Sequence, residues 1–81
     1  MAKAVVLAVS AAKSLRTVPP KDSAAILSKL ESYARGERQD VVKLVGSPLR
    51  RLRHGAWRAV FEERKNEIVV LAVSHRRDAY R

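Results

Sequence analysis

The chain has 81 residues, with 17 Lys and Arg against 8 Asp and Glu for a net charge of +9, so it is long enough for one modest core and too short for two. It contains no cysteine, which excludes a disulfide framework or a thiolate metal site and points to a reducing compartment. No apolar run nears the roughly 18 residues of a membrane span, and so large a basic excess implies polyanionic partners rather than a membrane.

In chain order, the run Ala4 to Val9 is apolar on both faces and half valine, which predicts a buried strand. It has neither the length nor the cleavage site of a signal peptide, and a cytoplasmic protein is expected. Ser10 is placed to cap a short helix reaching about Thr17, with Ala11, Leu15 and Val18 as its apolar stripe. Pro19-Pro20 ends that helix, because a residue before proline is pushed out of the helical region.

Lys21 to Arg35 carries the clearest helical periodicity. Ile26, Leu27, Leu30, Tyr33 and Ala34 recur along one side, Pro20 suits the first turn, and Gly36 is placed to stop the helix in a left-handed cap. A polar loop follows, from Gly36 to Asp40. Val41 to Val45 then predicts a strand, and Gly46-Ser47-Pro48 a turn.

Leu49 to Phe61 reads as two extended runs meeting at His54-Gly55. Strand side chains alternate faces, so Leu49, Arg51 and Arg53 share one side while Arg50 and Leu52 share the other. Arg51 and Arg53 are then about 6.6 Å apart along the strand, a spacing at which two guanidinium forks grip one polyanion. In the second run Trp57, Ala59 and Phe61 lie opposite Arg58, Val60 and Glu62. A polar turn at Glu63 to Asn66 leads to Glu67 to Val73, apolar on both faces and therefore placed inside the sheet. The chain closes with SHRRDAYR, and from Arg50 onward nine basic and four acidic residues leave a net +5, eight of the nine being Arg.

One strand, two helices, then four strands with short connections define a single α+β domain over residues 1–81. Its small sheet is mostly antiparallel, with the N-terminal strand included and both helices packed on one face. The other face stays open and basic, a surface on which nucleic acid lies.

The pattern basic-apolar-basic at Arg51, Leu52 and Arg53, then Gly55, Trp57 and Arg58, then Val60-Phe61, with Val42 to Gly46 before it and SHRRDAYR after it, resembles the RelE/ParE superfamily of bacterial toxins along the whole chain. The resemblance implies a RelE-like fold and a toxin neutralised by a cognate antitoxin, within a heterotetrameric or larger assembly. In the RelE-like branch it implies ribosome-dependent cleavage of mRNA, without metal or other cofactor. In the ParE-like branch it implies inhibition of DNA gyrase without catalysis. A relic that only pairs with its antitoxin or binds nucleic acid is the third reading. Carried over residue by residue, the nuclease site implied is Arg51, Arg53, Arg58, Arg76 and Tyr80.

Cleavage of this kind uses the ribose 2′-OH against its own phosphate, so the protein must align the groups, stabilise the phosphorane and move two protons. Arginines perform the second task but do not give up a proton. The leading candidate for a base is therefore His75, since imidazole titrates near neutrality; His54, Glu62 and Glu63 follow. Tyr80 suits stacking on a base or proton transfer. Trp57 and Phe61 read as core or partner-facing anchors, and Arg50, Arg77 and Arg81 as solvated or antitoxin-facing.

Overall fold

The computed structural model describes residues 2–77. Five strands and two helices run in the order β1 (Ala4–Leu7), α1 (Val9–Leu15), α2 (Pro20–Ala34), β2 (Val41–Lys43), β3 (Leu49–His54), β4 (Trp57–Glu63) and β5 (Glu67–His75). The sheet order is β1-β5-β4-β3-β2. β1 pairs parallel with β5, and every other pairing is antiparallel. The architecture is the expected α+β one.

β5 lies inside the sheet, as its apolar run predicts, but β1 does not. It is an edge strand, with Val6 39% and Leu7 36% exposed. Two helices cover one face only, so an apolar β1 residue on the other face has nothing to pack against. α1 also departs from expectation. It begins one residue before Ser10, and its N-cap position, Ala8, makes no side-chain capping bond. Ser10 instead donates its hydroxyl to the Leu71 carbonyl, a bond of 2.5 Å that ties the helix to β5. The predicted strand over Val41 to Val45 is shorter, because Leu44 already turns back to Leu49 and leaves Val45 fully exposed.

α2 starts with Pro20 at its first position, where the missing N–H costs no hydrogen bond. It ends in a Schellman motif: Gly36, at φ +89°, donates to Tyr33 O, and Glu37 donates to Ser32 O. Its inward face buries Ile26, Leu30 and Ala34, while Leu27 and Tyr33 pack against the core edge. These residues, with Ala11, Leu15 and Val18 of α1 and its following turn, meet Leu52, Ala59, Phe61, Ile68, Val70 and Val73 of the sheet. Phe61 is fully buried and meets the Tyr33 ring edge-on, with 5.4 Å between centroids. No charged or polar residue described is fully buried.

Two backbone features set the side-chain directions around the site. The β3–β4 hairpin closes through Gly55-Ala56, with Gly55 at φ +56° and Ala56 not in the left-handed region, as a turn with glycine at its first central position requires. On β5, Val60 pairs with Ala72 but Phe61 with Val70, leaving Leu71 as an extra bulged residue. The bulge reverses the alternation, so Val73 and His75 join Ile68 and Val70 on the helical face.

Candidate nucleic-acid interface

The register places three arginines on the uncovered face. Arg53 and Arg58 are directly paired across β3 and β4, and Arg51, paired with Val60, lies two residues along the same side. Side chains so paired have Cβ atoms about 5 Å apart, so like charges are held together at a cost that an anion would relieve. Arg53 is exposed, and Arg51 and Arg58 are half-buried. Arg51 Nε and the Nε and Nη1 atoms of Arg58 are shielded from solvent and have no hydrogen-bond partner among the described residues. These guanidiniums keep their charge without a protein partner beside an open face, which attracts an anion to it.

The rest of this face is sorted by polarity. Beyond the arginines it becomes apolar through Val60, Ala72, Val69 and Val6. Glu62 and Glu67 lie at its far end, where both bond Arg64. Among the described residues, none of Arg51, Arg53 and Arg58 forms an ion pair with a carboxylate, although Asp40 lies beside Arg53, whose N–H donates to the Asp40 carbonyl. Ser74, paired with Arg58, is the hydroxyl beside it.

Arg76 continues the ladder by one rung, its N–H donating to Ala56 O at 2.6 Å. That anchors Arg76 at the hairpin end of the sheet, beside the row that holds Arg53 and Arg58. Tyr80 lies outside the described residues.

The four candidate bases are located elsewhere or already engaged. Glu62 bonds Arg64. Glu63 is on the helical face, where its carboxylate accepts from Lys3 Nζ and Tyr33 Oη, each at 2.7 Å, and is ion-paired with Arg50, whose Nε lies 3.1 Å away. The Lys3 hydrogen bond first, and then that of Tyr33, hold the Glu63 carboxyl below its ordinary range. Burial and the same carboxylate push the Tyr33 hydroxyl up. A carboxylate stabilised in this way is a poor proton acceptor. His54 faces α2, with Nε2 3.2 Å from Asp22 Oδ1 and Nδ1 shielded without a partner. His75, paired with Trp57, is on the helical face with it, the two rings edge to face at 4.9 Å.

Among the described residues, no group of three or more His, Asp and Glu is arranged to hold a metal ion, and no helix is long and apolar enough to cross a membrane. The three arginines and Ser74 form a surface for an extended anion. Arg50 is excluded from it by its pairing with Phe61 and its ion pair with Glu63.

A mixed five-stranded sheet with two helices on one face is the RelE-like arrangement, and solved structures of that kind superpose on this chain. The RelB–RelE antitoxin–toxin complex from Methanococcus jannaschii includes a chain matching at TM-score 0.80 and 24% identity, over 93% of this chain and 94% of that one. The archaeal RelE–RelB complex from Pyrococcus horikoshii OT3 matches at TM-score 0.70 and 26% identity, over 94% and 97%. The RelBE2 toxin–antitoxin complex from Mycobacterium tuberculosis matches at TM-score 0.74 and 18% identity, over 93% and 92%. A comparison with curated protein sequences found no match. Residues 5–80 match the ParE toxins of type II toxin–antitoxin systems, parDE. The chain belongs to that family, within the RelE/ParE superfamily of toxins.

Proposed function

We propose that this toxin acts on mRNA at the ribosome, with Arg51, Arg53 and Arg58 gripping the backbone around a scissile phosphate. The observation that carries this reading is the group of three arginines on the uncovered face, none of them ion-paired among the described residues. The ribose 2′-OH, losing its proton, attacks its own phosphate. The phosphorane, whose added negative charge Arg53 and Arg58 stabilise more strongly than the ground-state phosphate, breaks its P–O5′ bond to leave a 2′,3′-cyclic phosphate and a 5′-OH that takes up a proton. Arg76, anchored at the same end, adds positive charge. The protein's main contribution is alignment and electrostatics. Tyr80, six residues beyond Ser74, is the remaining candidate for stacking or proton transfer.

The same face suits a cognate antitoxin. It has an arginine end and an apolar half formed by Val60, Ala72, Val69 and Val6, which an amphipathic segment with acidic residues at one end complements. Matching chains from the Methanococcus and Pyrococcus complexes were solved with RelB. An antitoxin seated here blocks RNA by occupying the arginines.

A second reading, inhibition of DNA gyrase without catalysis, is favoured by the match to ParE toxins and by the placement of His54, Glu63 and His75 away from the open face. Cell-free translation and gyrase supercoiling, each titrated with the purified toxin, separate the two. Inhibited translation with intact supercoiling supports the mRNA reading, and the reverse overturns it.

A further inference from the structure

His75 lies where two features of β5 meet. The bulge at Leu71 turns it to the helical face, against the edge of Trp57. From there Nδ1 lies 3.2 Å from the backbone N of Arg77. A peptide N–H only donates, so in this contact Nδ1 is the acceptor, a role that leaves Nε2 as the ring's donor. The next bond, from Arg76 N–H to Ala56 O, pins the same turn to the hairpin. The basic turn Arg76-Arg77 is thus held at two successive amides, one by the β3–β4 turn and one by an imidazole that Trp57 holds in place. A ring with its Nδ1 lone pair committed, on the face opposite Arg53 and Arg58, is badly placed to take a proton from a ribose hydroxyl.

We propose that His75 is a positioning residue: by accepting the Arg77 amide at Nδ1 it fixes the Arg76-Arg77 turn at the hairpin end, so that the turn's positive charge joins that of Arg53 and Arg58. This rests on the reading of the open face as the surface that engages the target, and it assigns His75 no proton transfer.

Three substitutions separate the roles. In His75→Asn the amide oxygen stands where Nδ1 stood, accepts the same hydrogen bond and cannot act as a base. His75→Gln puts its amide near the Nε2 position, and His75→Ala has no acceptor. The first readout, amide hydrogen exchange at Arg77, does not depend on what the toxin targets. Protection is expected in the wild type and His75→Asn, and its loss in His75→Gln and His75→Ala. Equal protection in the wild type and His75→Ala overturns the proposal, whatever the face binds.

The second readout is potency, in translation or supercoiling, whichever the wild type inhibits. Freeing one ordered residue costs a factor of about 5 to 30, so half-inhibition by His75→Ala and His75→Gln should need about that much more toxin, while His75→Asn stays within about twofold of the wild type. A His75→Asn protein that keeps Arg77 protection yet is as inactive as His75→Ala would show proton transfer and overturn positioning. Full potency in all three would equally overturn it. Inhibition of supercoiling alone would remove the mRNA reading and leave this comparison intact.

Discussion

Changing Glu63 to Gln probes the most connected polar group in the fold. Its carboxylate joins four elements, accepting from Lys3 just before β1 and Tyr33 of α2 and ion-paired with Arg50 of β3, while itself ending β4. Glutamine keeps the shape but offers one oxygen and one NH2. Whichever way the amide turns, it sets a donor against either Lys3 or the Tyr33–Arg50 pair. A hydrogen bond to a charged group contributes about 1.5 to 3 kcal/mol and a neutral one about 0.5 to 1.5, so weakening two of them removes about 2 kcal/mol. The Glu63 side chain is 25% exposed, and screening brings the expected loss to about 1 to 2 kcal/mol. For a domain this size that lowers the melting temperature by about 4 to 16 °C.

The pH dependence follows from the lowered carboxyl value in the folded state. Its contribution is fully present above the ordinary value of 4.5 and is lost as the pH falls through the folded value. Glutamine does not titrate, so melting curves followed by circular dichroism should show a gap between wild type and variant at pH 7 that closes in acid. A gap that does not narrow at all as the pH is lowered from 4.5 into the acid unfolding range would refute the charge-based account.

Leu30, fully buried where α2 meets the sheet, should lose about 2 to 5 kcal/mol on change to Ala; an unchanged melting temperature would contradict its place in the core. Gly55→Ala should cost about 1 to 2 kcal/mol from the left-handed backbone alone, since a Cβ there meets nothing within 4 Å, and denaturant unfolding measures it. Changing Arg51, Arg53 and Arg58 together to Ala should weaken the antitoxin complex and flatten its dependence on salt, because screened charge pairs are removed. Calorimetric titration across salt concentrations checks this, and unaltered affinity and slope would place the antitoxin elsewhere.

Much of the fold was legible because its signals are local. The spacing of Ile26, Leu30 and Ala34, with Pro20 before and Gly36 after, defines α2, and alternation around Gly55 places Arg51 and Arg53 on one side. Pairing across the hairpin then brings Arg58 to them. What was not legible depends on long-range register. Nothing local distinguishes an edge strand such as β1 from an interior strand such as β5, since both are runs of aliphatic residues. The bulge at Leu71 leaves no mark in composition, yet it turns His75 to the face opposite the arginines, a direction that the chemistry singling out its imidazole does not reveal. Glu63 looked like a free acid because Lys3 and Tyr33, its partners, are 60 and 30 residues away. Local sequence places His54 beside the Gly55 turn, and its contact with Asp22, 32 residues earlier, is invisible there for the same reason.

The central claim, that paired arginines on the open face stabilise a phosphate being cleaved, is tested most directly by single-turnover cleavage of mRNA on programmed ribosomes, with circular dichroism as the folding control. The wild type should cut, and Arg58→Ala, keeping its fold, should cut about a hundred to a thousand times more slowly, the usual loss when one donor to a developing charge is removed. Cleavage by Arg58→Ala at the wild-type rate, or a wild type that leaves mRNA intact while blocking gyrase, would contradict it.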